Sequence, residues 1–226
     1  MSEATDSPPG PPESSPLPGC IILCTILLVF GGLIVLYTVV GSYQNRTLDE
    51  FTLSEPVILP VLTPSEEDRE RTLETFRAIG KAIEEERVER FFVTAKDLNV
   101  LIATNEDLAD FRGQTVIDRI SDQGIVARMV QPMRKGVFRK GSRYLDATFV
   151  LQPEIRARTI AFEVMDIRSE KGSVPEGFIQ NYRALDFFKL DPEWEIMKSS
   201  VQSLAAVYGE GGKLVIETRI PETESE

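Results

Sequence analysis

The stretch CIILCTILLVFGGLIVLYTVVGSY, Cys20–Tyr43, constrains this chain more than any other part of it. Its 24 residues carry no charge and are mostly aliphatic. As an α-helix rising 1.5 Å per residue it reaches about 36 Å, enough to cross the hydrocarbon layer of a bilayer. A helix in a soluble core needs an apolar stripe, not apolar residues on every side. A cleavable signal peptide wants a basic start and a shorter apolar run, and no Lys or Arg precedes Arg46. A lipoprotein cleavage box at Leu17–Cys20 is excluded, because the apolar run follows the cysteine instead of preceding it. One transmembrane helix over residues 20–43 is the expectation.

The remainder is acidic. The chain holds 36 acidic and 25 basic residues, and only Glu3, Asp6 and Glu13 are charged before residue 44. An acidic balance argues against a general nucleic-acid binder, which needs a basic face to neutralise phosphates. Both cysteines, Cys20 and Cys24, fall inside the apolar run, so the rest of the chain has neither a disulfide framework nor a thiolate metal site.

Around the apolar run, residues 1–19 are rich in Pro and Ser and read as a disordered tail. Residues 44–63, punctuated by Pro56 and Pro60, read as a stalk, and residues 64–226 as one domain. Thr63 and Glu66 suggest a capping box around Pro64, opening a helix with Leu73, Phe76, Ile79 and Ile83 on one stripe. In RFFVTAKDLNVLIA a strand passes directly into a helix, with Thr94 as N-cap and Asp97 three places on. The period then switches to two, and four segments from Gly113 to Ser169 predict an antiparallel meander with one buried face. A helix after Pro175 follows, carrying Phe178, Ile179, Tyr182 and Leu185 inward. Another is expected from Asp191-Pro192, with Trp194, Met197, Val201, Leu204 and Val207 as its stripe, stopped at GEGG before a last strand. The fold class is α+β: an N-terminal transmembrane helix, then one domain in which an antiparallel sheet meander packs against helices.

The chain has no histidine, which removes Ser-His-Asp and Cys-His nucleophiles and His-based metal sites. No Ser stands three places before a Lys, and Gly80-Lys81 and Gly212-Lys213 lack the Ser or Thr of a P-loop. No enzyme, cofactor or metal is expected. Thr94, Asp97 and Asn99 form a polar junction between strand and helix, and short polar side chains there usually satisfy backbone amides. RKGVFRKGSR gathers five cations in ten residues of an acidic chain. Arg134, Lys135, Val137, Phe138, Arg139, Lys140 and Arg143 are therefore candidates for contact with a membrane or an anionic partner, against the alternative of a solvated strand connection.

The order FFVTAKDLNVLIA, GSRYLDATFVL, GSVPEGFIQNYRALD and GGKLVIETR resembles a group of membrane-anchored bacterial envelope proteins. That group shows a dLNaLi helix, an RYlNG-like strand and a G-x-x-P-x-x-F helix. The match spans roughly Arg90–Arg219, the size of one domain, with Asp146-Ala147 standing where the group has Asn-Gly. More remotely it resembles YpmS-like anchored domains. The resemblance implies a short cytoplasmic tail and a domain outside the inner membrane. The flanking charges favour the opposite orientation by Arg46 alone. Two functional expectations follow: a non-catalytic interaction or assembly module with an envelope partner and a filled core, or a domain that encloses a lipid or other apolar ligand in a cavity lined by Phe149, Phe162, Val164 and Trp194.

Overall fold

The computed structural model describes residues 17–133, 141–156, 159–184 and 201–220. The expected disordered tail up to residue 16, the loop cations Arg134 to Lys140, and Leu185, Trp194 and Met197 lie outside the described residues.

Helix α1, Leu17–Phe51, has 35 residues, and its apolar part is long and apolar enough to cross a membrane. It begins inside the expected tail, with Pro18 in its first turn, where no backbone hydrogen bond is forfeited. It also continues eight residues past Tyr43, which corrects the stalk expected over residues 44–63. No Pro or Gly interrupts Gln44–Phe51, so the helix continues unbroken to Phe51. The segment beyond α1 is docked as well. Leu53 forms an antiparallel bridge to Tyr144, and the Leu59 N–H donates to Gly113 O at 2.8 Å.

Helix α2, Glu66–Glu84, is capped by Ser65 instead of Thr63, its hydroxyl accepting from Asp68 N. Ser65 and Asp68 repeat the expected spacing two residues later, and place Glu66, Glu67 and Asp68 at the positive end of the helix. Ile79 and Ile83 enter the core, while Leu73 and Phe76 are half-buried. Strand β1 (Arg90–Val93) leads into α3 (Ala95–Thr104), then a 3-10 turn over Glu106–Phe111.

Four strands follow in meander order: β2 (Thr115–Ser121), β3 (Gly124–Met133), β4 (Arg143–Arg156) and β5 (Thr159–Ser169), all antiparallel. Gly124 is required at the β2–β3 turn: its φ is +123°, and a Cβ would lie 2.3 Å from Leu151 O. Ile125, Ala127 and Met129 of β3 face the core with Leu151, Phe149 and Ala147 opposite them on β4. Helix α4, Glu176–Ala184, packs on β5 and brings Ile179 into the same core.

The final helix of the sequence reading is not what Leu204 and Val207 belong to. They lie on β6 (Leu204–Glu210), which pairs with β7 (Lys213–Thr218). Gly211 and Gly212, at φ +56° and +80°, make the two-residue hairpin turn instead of a helix stop. A register shift between Leu204 and Ala206 explains the false helical spacing. The bulge turns residues three apart toward one face, and both are buried. β1 joins β7 to complete a second sheet in the order β1-β7-β6, and β6 lies against β4 and β2 of the meander. The result is one α+β core between two antiparallel sheets, with helices around it.

Candidate functional site

The polar groups at the end of α1 connect the apolar helix to the domain. Phe51 is 1% exposed, and its ring meets Phe178 edge-on with centroids 5.2 Å apart. A helix C-terminus leaves carbonyls without intrahelical partners, and α1 has no basic residue of its own in its last turn. Two cations from the sheet supply what is missing. Arg143 at the start of β4 donates to Thr52 Oγ1 (3.0 Å) and Thr52 O (2.7 Å), and pairs with Asp49 at 2.9 Å. Lys171, just after β5, donates to Asp49 O (2.5 Å) and Thr52 O (2.6 Å). Ser169 Oγ donates to Phe51 O at 2.9 Å. Positive charge at this end also suits the helix macrodipole.

Arg143 therefore differs from its expected place among solvent- or lipid-facing cations. Its side chain is largely buried, and its guanidinium holds the helix end. The remaining candidates of that group, Arg134, Lys135, Val137, Phe138, Arg139 and Lys140, lie outside the described residues, but the strand ends that flank them sit beside the end of α1.

The strand-to-helix junction is a second polar cluster. Thr94 and Asp97 form the reciprocal capping box of α3. Asp97 is buried and also accepts from Thr72 Oγ1 (3.1 Å) and Arg71 Nη2 (3.3 Å) on α2. Burial is the largest single influence on this carboxyl and opposes its ionisation. Hydrogen bonds from Thr94, Thr72 and Arg71 together outweigh it and hold the carboxyl below its ordinary range. Asn99, one turn into α3, donates through Nδ2 to Ile117 O (2.8 Å) and accepts from Ile117 N (2.9 Å). β2 is an edge strand, and the register shifts between Ile117 and Arg119. The Asn99 amide thus takes the place of a neighbouring strand where the edge is interrupted.

Asp146 and Ala147, which stand where the resembled group has Asn-Gly, both have local work. Asp146 receives two hydrogen bonds from Arg128 (3.0 and 2.8 Å), and Ala147 is buried opposite Met129. Sequence reasoning missed Lys171, Thr52 and Asp49 at the helix end, because their contacts link residues about 90 to 120 positions apart.

A cleft of about 330 Å3 lies beside α3, lined by Pro60, Val61, Leu62, Ile102, Arg112 and Thr115 among others. The buried Thr115 hydroxyl has no partner among the described residues. Phe149 and Val164, candidates for lining an internal ligand cavity, are packed in the core, with Tyr182 beside Phe149 at 6.2 Å between ring centroids. Trp194, the fourth candidate with the half-buried Phe162, is outside the described residues. Among the described residues no group of three acidic or cysteine side chains is placed to hold a metal ion. No family model, curated protein or solved structure matches the chain.

Proposed function

We propose that the protein is a single-pass, membrane-anchored, non-catalytic module, whose domain is held at the membrane surface as an interaction or assembly unit. The observation that carries this reading is the continuity of α1. One unbroken helix runs from an uncharged apolar stretch into the core at Phe51, where Arg143 and Lys171 fasten its end. From Tyr43 to Phe51 is about 12 Å of helix, so the domain sits close to the bilayer instead of ranging over a stalk. This favours an anchor over a cleaved leader, because Leu48 and Phe51 belong to the domain's own packing. The absence of histidine from the sequence supports the non-catalytic reading, as does the lack of the nucleophile patterns considered above. The packed positions of Phe149 and Val164 favour an interaction module over an internal ligand carrier. Following the resembled envelope proteins, the domain is assigned to the outer side of the inner membrane.

The test is fractionation of the full chain and of a chain lacking residues 1–43. The full chain should resist carbonate extraction and the truncated one should be released. Added protease should digest the domain in intact spheroplasts. A truncated chain that stays in the washed membrane refutes the single anchor, and a domain protected in spheroplasts refutes the orientation.

A further inference from the structure

The segment that follows α1 contains an uncharged, apolar run. Pro56–Thr63, PVILPVLT, has no charged residue in a chain that is 27% charged. Two prolines restrict its backbone. Leu59 is buried, while its neighbour Ile58 is 83% exposed and Val61 and Leu62, at the edge of the cleft beside α3, are exposed as well. Ile58 and Val61 flank Gly113, within 4.0 Å of the position a Cβ there would occupy. An apolar patch of this kind on an otherwise charged surface marks an interaction site.

The strand registers place this patch. Leu53 pairs with Tyr144, Tyr144 with Pro132, and the neighbouring Val130 N–H donates to Gln114 O. Leu53 lies on the side of β4 away from β3, so Gly113, which anchors Leu59, lies at the same end of the sheet as the end of α1, three strand spacings to the side. That offset is roughly 14 Å. The patch lies on the rim from which the anchoring helix leaves.

We propose that Ile58, Val61 and Leu62 insert into the headgroup layer of the bilayer that α1 crosses, so the domain is seated on the membrane by a second, apolar contact. This rests on the anchor reading above. The geometry permits it. A headgroup layer of about 5–8 Å brings the lipid surface to within several ångströms of a rim that lies ~12 Å beyond Tyr43. A tilt of ~20° in α1 toward this side lowers a point ~14 Å away by roughly 5 Å more. Lipid is favoured over a protein partner by the complete lack of charge across eight residues and by the fixed closeness of the rim to the anchor. The contact is apolar, so zwitterionic lipid suffices and salt has little effect.

The test uses the full chain in zwitterionic nanodiscs, with Cys20 and Cys24 replaced by Ser and one spin label at Leu28→Cys, Ile58→Cys or Gln123→Cys. Leu28 reports on α1, and Gln123, exposed in the β2–β3 turn, reports on the far end of the sheet. Accessibility to oxygen relative to a nickel chelate should be several-fold higher at Ile58 than at Gln123, and unchanged in high salt. An Ile58 label as open to the chelate as Gln123, with Leu28 in lipid, overturns the contact and leaves the patch to a protein partner. A Leu28 label open to the chelate overturns the anchor reading itself. Thermal unfolding unchanged at Ile58→Cys shows that the label reports on an intact domain.

Discussion

Phe51→Ala tests whether the apolar helix and the domain are one body. The side chain is 1% exposed and packs edge-on against Phe178 in the common core. Truncating a buried Phe to Ala costs about 3–5 kcal/mol, part of it from the cavity left behind. The lost aromatic contact falls within that sum, since such a pair is worth about 0.5–1.5 kcal/mol beyond its area. Against a total stability of about 5–15 kcal/mol, this is a large fraction. For a domain of this size each kcal/mol moves Tm by about 2–4 °C, so the midpoint should fall by roughly 6–20 °C. The full chain in mild detergent is the right sample, with near-ultraviolet circular dichroism reporting on the domain. Far-ultraviolet helix signal from α1 should survive the transition, because detergent supports the apolar run. A midpoint lowered by less than about 2 °C would show that Phe51 does not hold the core and that the helix ends in a flexible tether.

Asn99→Ala should lower stability by about 1–3 kcal/mol, because it leaves the N–H and C=O of Ile117 unpaired at an interrupted edge. Urea denaturation measures this, and an unchanged midpoint would mean that water replaces the amide without loss. Asp97→Asn should change the response to acid. The carboxyl is held below its unfolded value, so its contribution is complete above about pH 4 and is lost as the pH falls through the folded pKa. The variant should be less stable at pH 7 yet lose less between pH 5 and 2, and identical acid limbs in the two proteins would refute the assignment.

What could be read from the sequence divides by the range of the interaction. The meander was legible because alternation along β4 is local, although β3 buries Val126 and Val130 on its second face as well as Ala127 and Met129 on the first, so the single buried face expected there does not hold. The capping box at Thr94 and Asp97 was legible for the same reason, since donor and acceptor lie three residues apart. β6 was not, because its bulge gives Leu204 and Val207 a helical spacing on a strand, and only pairing with β7 shows otherwise. Asn99 could be recognised as a junction residue, but its partner Ile117 is 18 positions away and depends on which edge β2 presents. Arg143 was misplaced by its company. Five cations in one stretch share a composition, yet Arg143 faces inward, drawn by carbonyls and a carboxylate at the end of a helix 91 residues earlier. The stalk was misjudged in the same way: Pro56 and Pro60 suggested a loose tether, whereas they stiffen a segment already bonded to Tyr144 and Gly113. The joint between anchor and domain is assembled from residues distant in the chain, so local pattern reveals the two parts and leaves their connection to the fold.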